Sequence, residues 1–159
     1  MRLWRISNYA DLSGEGGRRR SGRWHSGGLP VVYLAEHPTL VLLEDLVHLE
    51  GDVDDLPDTY QLLEIDVSGD VAMGSVDTAG LGASDADWRT SLAATRSLGD
   101  KWLLSGQAAL LRVPSVILPK STNALLNPAH ADAQGVKIVE VTRPAYDRRL
   151  FGPSNAANR

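Results

Sequence analysis

Glu44 is the residue whose surroundings most constrain its chemistry. On a helix running from Pro38 to about Leu49, its neighbours one turn away on either side are Leu40, Val41, Val47 and His48. Three of these are apolar, so the carboxylate lies on or beside the inward stripe, while Asp45 and Glu50 can reach water. Taking a carboxylate out of water is costly unless it has a partner. Two partners would serve: an arginine in a structural ion pair, or a substrate that is cationic or becomes so during reaction. Arg23 sits between Gly22 and Trp24 among glycine segments, a setting for a guanidinium that grips an anion with its planar fork. Arg18, Arg19 and Arg20 read as a solvated cluster that steers an anionic ligand. Tyr33 falls mid-strand, where it either packs in the core or offers its ring or hydroxyl to a ligand. Ser115, between Pro114 and Val116, is a polar residue in an apolar run that either ends a strand or serves the site.

Other site types fail on spacing. His25, His37, His48 and His130 form no HxH or HExxH pattern and there is no cysteine, so no metal site, disulfide or thiolate nucleophile is expected. No GxSxG elbow and no phosphate-loop lysine occur. Gly14-Glu15-Gly16-Gly17 does not clearly join a strand to a helix, so the dinucleotide fingerprint is not met.

These side chains must be held by a chain of 159 residues, one domain's worth, with 43% hydrophobic and 23% charged residues, ordinary globular usage. Apolar stretches such as Leu40 to Leu43 are far too short to cross a bilayer, and no leader pattern opens the chain. The net charge of −4 is uneven. Residues 1–23 sum to +4, residues 24–100 to −13 and residues 101–159 to +5, so a fold joining the two ends would set a basic surface beside an acidic middle. Alternation predicts strands over Arg2–Ile6, Val31–Ala35, Tyr60–Val67, Ala108–Val113 and Val136–Val141, with an extended piece at Val116–Leu118. Ser13–Gly22, with four glycines in ten residues, predicts a loop, and residues 68–84 an irregular segment. Helices are predicted over 38–49, closed by Gly51, from Asp85 or Asp87 to about Leu98, and around Asp100–Gly106. The result is α+β: a single compact domain over residues 1–151, with a mixed central sheet flanked by helices, and a short loose tail over 152–159.

Several segments resemble the RES domain: Trp4-Arg5-Ile6, Ser13-Gly14-Glu15-Gly16, Gly22-Arg23-Trp24, Val31-Val32-Tyr33-Leu34-Ala35 and Leu42-Leu43-Glu44-Asp45-Leu46-Val47-His48. The likeness continues in Arg112-Val113-Pro114-Ser115 and Asn123-Ala124-Leu125-Leu126-Asn127-Pro128, in the same order, over most of the chain. The family is named for an Arg, a Glu and a Ser, matched here by Arg23, Glu44 and Ser115. His25 departs from the Asn that usually follows the Arg-Trp pair, which affects local loop contacts.

The resemblance implies a toxin of a bacterial type II toxin–antitoxin pair, with a fold similar to diphtheria-type ADP-ribosyltransferases. It implies NAD⁺ as substrate, with ADP-ribose passed to a protein or to water, and no metal. Breaking the nicotinamide–ribose bond builds oxocarbenium character on the ribose while a neutral pyridine leaves. Such chemistry calls for a carboxylate near the developing cation, cations on the pyrophosphate and an aromatic wall for the nicotinamide. On the resemblance, Glu44 supplies the first, Arg5 and Arg23 the second and Tyr33 the third, while Ser115 and Asn123 hydrogen-bond ribose or amide groups. In diphtheria-type enzymes the glutamate lies late in the chain, whereas Glu44 lies early. The implied partner is an Xre-type antitoxin with a helix-turn-helix region, for which the acidic stretch from Glu50 to Asp58 is a candidate contact. A protein target of ADP-ribosylation, a homodimer within the toxin–antitoxin complex, no membrane, no direct nucleic-acid binding and a cytoplasmic location complete the expectation. The rival is a non-enzymatic binding module whose Arg-rich loop docks an anion or nucleic acid, with Glu44 a structural ion-pair partner. Overall acidity and the lack of aromatics interleaved among the arginines count against it.

Overall fold

The computed structural model describes residues 1–49, 57–77 and 88–151. Seven strands of the described residues make one mixed sheet: β1 (Arg2–Ile6), β2 (Val32–Ala35), β3 (Leu62–Val67), β4 (Met73–Ser75), β5 (Leu110–Pro114), β6 (Thr122–Leu126) and β7 (Val136–Thr142). Their order is β4-β5-β6-β2-β1-β3-β7, antiparallel except for the β4–β5 pair. Among the described residues three α-helices accompany it: α1 (Glu15–Arg19), α2 (Pro38–Leu46) and α3 (Leu92–Ser105). The α+β class and the mixed sheet expected from the sequence are present.

The alternation read in β3 is its burial pattern: Leu63, Ile65 and Val67 are buried, while Glu64 and Asp66 face outward to Arg2. One sheet face packs Leu3, Val32, Leu34, Leu63, Ile65, Leu110, Ala124 and Leu126 into a core. The other covers itself with α3 through Trp102 and Leu103, against Trp24, Leu111, Val113 and Leu125. α2 starts with Pro38 in its first turn and the His37 imidazole as its cap, Nδ1 accepting from Thr39 N at 3.2 Å. It rests on β1 and β2 through Leu40 and Val41.

Several elements differ from the sequence reading. The glycine-rich stretch contains α1, whose turn closes through Arg18 N to Gly14 O and Arg20 N to Gly16 O. α2 ends at Leu46 rather than Leu49, and its proposed closure at Gly51 lies outside the described residues. β4 occupies part of the segment expected to be irregular, and β6 was not anticipated. The two helices expected on either side of Gly99 are one, α3. Val116–Leu118 is a bend, because the Ser115 hydroxyl accepts from Ile117 N and Leu118 N at 3.2 and 3.1 Å. The tail over 152–159, and 85–87 of the predicted helix start, lie outside the described residues.

Candidate active site

β1 and β2 are registered at a single pair, Trp4 with Ala35. Beyond it Arg5, Ile6, Tyr33 and Leu34 line a cleft of about 790 Å³, whose other walls come from α1, the Gly22–His25 loop, α2, α3 and the turn after β5. That volume suits a ligand the size of a nucleotide or larger.

Glu44 reaches this cleft from α2, and two side chains hold it by one oxygen. Ser115 Oγ donates to Glu44 Oε1 at 3.1 Å and Asn123 Nδ2 to the same atom at 2.8 Å. Ser115 is buried, and two backbone N–H groups already donate to its hydroxyl, so its own proton goes to the carboxylate. The pairings Val113–Asn123 and Ala35–Asn123 bring Asn123 from the middle of the sheet to the foot of α2. Oε2 takes no hydrogen bond from the described residues, and no arginine among them is within ion-pair distance of Glu44. Asn123 Oδ1 is buried and unpaired. Next in sequence, Asp45 also borders the cleft, but its Oδ2 accepts from the Tyr146 hydroxyl, so the two adjacent acids have separate tethers.

The opposite wall turns on Gly22. A side chain there would collide with the Tyr33 ring and hydroxyl and with His25, so only glycine lets the loop cross the tyrosine. His25 is buried, with Nε2 at 2.9 Å from Gly17 O and Nδ1 at 2.9 Å from the Tyr33 hydroxyl. A carbonyl can only accept, so Nε2 carries the ring proton in the neutral tautomer. Nδ1 then accepts from both the Tyr33 hydroxyl and Gly22 N. Trp24 N donates to the same phenol at 3.0 Å. The Tyr33 oxygen is therefore a strut of this wall while its ring lines the cleft.

α3 grips the loop almost residue by residue. Arg96 Nε donates to Gly22 O at 2.8 Å and Thr95 Oγ1 to Arg23 O at 2.7 Å. Asp100 accepts from Ser26 N and Oγ at 2.8 and 2.7 Å, and Gly99 lets the Trp24 carbonyl lie against the helix axis. These four residues fall at i, i+1, i+4 and i+5, one face of the helix. Arg23, set by this grip, uses Nη1 on Arg89 O at 2.8 Å.

The charge pattern separates cleft from surface. Arg2, Arg18, Arg112, Arg148 and Arg149 each lie within ion-pair distance of a carboxylate. Arg5, Arg20, Arg23 and Arg96 line the cleft, and among the described residues none has such a partner. Burial pulls the Arg5 guanidinium below its ordinary value, opposed by the Asp11 charge.

The sequence-predicted residues Arg5, Arg23, Tyr33, Glu44 and Asn123 all line the cleft, whereas Ser115 lies behind Glu44. Arg20, read as part of a solvated cluster, is exposed and also borders the cleft, whereas sequence reasoning passed over Arg96, Thr95 and Asp100. Their signal was a polar and small face on one helix, interrupted by the glycine that was read as its end.

The RES domain family matches residues 2–149. The chain belongs to the RES-domain family. A relative named Toxin Res from Pseudomonas putida is 50% identical over 152 residues, covering 95% of this chain and all of that protein. The Prs ADP-ribosylating toxin of Sphingobium sp. is 40% identical over 157 residues, covering 94% of this chain and 96% of its own. In structure, this RES domain is similar to a chain of the M. tuberculosis MbcT–MbcA toxin–antitoxin complex, with a TM-score of 0.71 at 18% identity, over 98% of this chain and 88% of that one. At that identity the likeness speaks for the fold.

One consequence for this RES domain concerns alkaline stability. Burial pushes the Tyr33 phenol up to about 12, against the opposing pull of the Trp24 N–H bond and the nearby Arg96 and Arg23 charges. A phenol raised above its unfolded value near 10 contributes stability that is complete below that pH and is lost as pH rises towards 12. Denaturant unfolding followed from pH 9 to 12 should therefore show a shallower decline for Tyr33→Phe than for the wild type. Equal slopes would mean that the folded state tolerates the phenolate.

Proposed function

We propose that this RES domain is a toxin that cleaves the nicotinamide–ribose bond of NAD⁺ and transfers ADP-ribose to a protein or to water. The observation that carries this reading is one cleft holding Glu44, one of whose oxygens takes no hydrogen bond from the described residues, and four guanidiniums that lack a carboxylate partner among those residues. The name of the Sphingobium relative supports ADP-ribosyl transfer. As the C1′–N bond breaks, its electron pair goes to the nicotinamide nitrogen, and C1′ develops positive charge that the Glu44 carboxylate stabilises. A side-chain nucleophile or water then bonds to C1′ and gives up a proton. Arg5 and Arg23 bind the diphosphate, and the Tyr33 ring bounds the nicotinamide side. Ser115 and Asn123 act through Glu44, fixing Oε1 so that Oε2 meets the ribose.

An enzyme of this kind is harmful to its own cell unless blocked, and the fold neighbour comes from a toxin–antitoxin complex. The reading therefore includes an antitoxin partner, of the Xre helix-turn-helix type, and action in the cytoplasm. Incubating the purified protein with NAD⁺, with and without cell lysate, and following nicotinamide release and labelled protein tests it. No nicotinamide in either arm would remove it. Label on protein selects the transferase form, and nicotinamide without label the hydrolase form.

Arg23→Lys keeps charge but loses the fork, so KM for NAD⁺ should rise about tenfold or more with a smaller change in kcat. Arg19→Ala, at an exposed residue outside the cleft lining, should shift KM by less than about threefold, as remote steering allows. Equal effects at the two positions would mean that the basic run acts collectively.

A further inference from the structure

We infer that Arg96, on α3, is a second arm of the clamp that grips the diphosphate of the dinucleotide. The inference rests on the proposed NAD⁺ reading and adds a specific contact to it. Arg96 lines the cleft that holds Glu44, Arg20 and Arg23. Its Nε is committed to Gly22 O at 2.8 Å, and the described residues offer its two terminal nitrogens no acceptor. Four N–H donors of a planar fork thus remain, the geometry that matches paired phosphate oxygens.

The carboxylate that would ordinarily neutralise Arg96 is one turn away on the same helix. Asp100 at i+4 is the usual partner for such a pair. Here both Asp100 oxygens are spent on Ser26, and Arg96 is left to the cleft. Arg20, Arg23 and Arg96 therefore bring like charges to one wall with no carboxylate within ion-pair distance among the described residues. Their mutual repulsion is relieved by a ligand bearing more than one negative charge. The charges of Arg96 and Arg23, and the opposing charge of Asp100, all act on the Tyr33 hydroxyl, which puts the two cations around the same point of the wall. Gly22 ties the two together, because Arg96 donates a hydrogen bond to its carbonyl oxygen and its carbonyl carbon carries the peptide bond to the Arg23 nitrogen.

Arg96 also braces the loop, so the test must separate bracing from gripping. Isothermal titration would measure inorganic diphosphate, ADP-ribose and nicotinamide as separate probes on the wild type, Arg96→Gln, Arg96→Lys and Asp100→Asn. Loss of one charge-assisted contact should weaken diphosphate and ADP-ribose by about tenfold to a hundredfold in Arg96→Gln, with nicotinamide nearly unchanged. Arg96→Lys should fall between Arg96→Gln and the wild type. Asp100→Asn loosens the same loop from the same helix without removing a cation, so it should shift nicotinamide and diphosphate by a common factor. Thermal unfolding of all three variants gauges the bracing loss separately.

If Arg96→Gln holds diphosphate within about twofold of the wild type, or shifts all three probes as Asp100→Asn does, Arg96 is only a brace and the inference is overturned. A wild type that binds none of the anionic probes overturns it as well. A wild type that binds diphosphate through Arg96 but releases no nicotinamide from NAD⁺ keeps the anion site and removes only the reading on which it was built.

Discussion

Glu44→Gln should lower the single-turnover rate of nicotinamide release by about a hundredfold or more. The size follows from how the carboxylate is held. Ser115 Oγ and Asn123 Nδ2 both donate to Oε1, and a glutamine carbonyl accepts the same two bonds. Side-chain volume and anchoring are kept, so thermal stability should change little. What disappears is the charge on the oxygen that faces the ribose, replaced by an amide whose N–H dipole points the wrong way towards a developing cation. Affinity for ADP-ribose should stay within a few fold, since the diphosphate is held by arginines elsewhere in the cleft. Ser115→Ala should cost less than Glu44→Gln, because the Asn123 bond still fixes the same oxygen. A glutamine variant that releases nicotinamide near the wild-type rate would strip Glu44 of the role given to it. One that fails to fold would show instead that its charge is structural.

The parts of this site that could be read from residues are those in which local pattern and local structure agree. Leu63, Ile65 and Val67 alternate because one face of β3 is buried, and the glutamate among apolar neighbours on α2 had to have a partner. What stayed hidden depends on contacts between distant segments. β6 has two polar residues before three apolar ones and lies between β2 and β5, where no half-buried alternation arises. Asn123 and Ser115 meet Glu44 across more than seventy residues of chain. The short α1 forms in a stretch with poor helix propensity, as tertiary contacts can override local preference. The grip of α3 on the Gly22–Ser26 loop is the clearest case, because the sequence offers a glycine where a helix would ordinarily weaken and the fold uses it as a seat.

That seat makes Gly99→Ala a severe change. In the interior of a helix, glycine to alanine ordinarily stabilises by about 1 kcal/mol through backbone entropy. At Gly99 the sign should reverse. A Cβ there would overlap the Trp24 carbonyl, and the obstructing atom is backbone, held on either side by Thr95 on Arg23 O and Asp100 on Ser26. The chain cannot turn a flexible side chain aside; it must lift the loop from the helix or shift the helix from the sheet. Overpacking of this kind costs about 3 kcal/mol or somewhat more, which for a domain of this length lowers Tm by roughly 6 to 12 °C. Gly69→Ala is the control, since a Cβ at Gly69 meets nothing within 4 Å and its Tm should hardly move. The two glycines should differ in a second measurement too. The displaced carbonyl belongs to the residue after Arg23, so at a temperature where Gly99→Ala is still folded its affinity for ADP-ribose should fall about tenfold or more, the loss expected for one charge-assisted phosphate contact. Were Gly99→Ala as stable as the wild type, the close approach of α3 to Trp24 would be wrong. Were it destabilised with ADP-ribose affinity intact, the loop would be part of the fold without setting the position of Arg23.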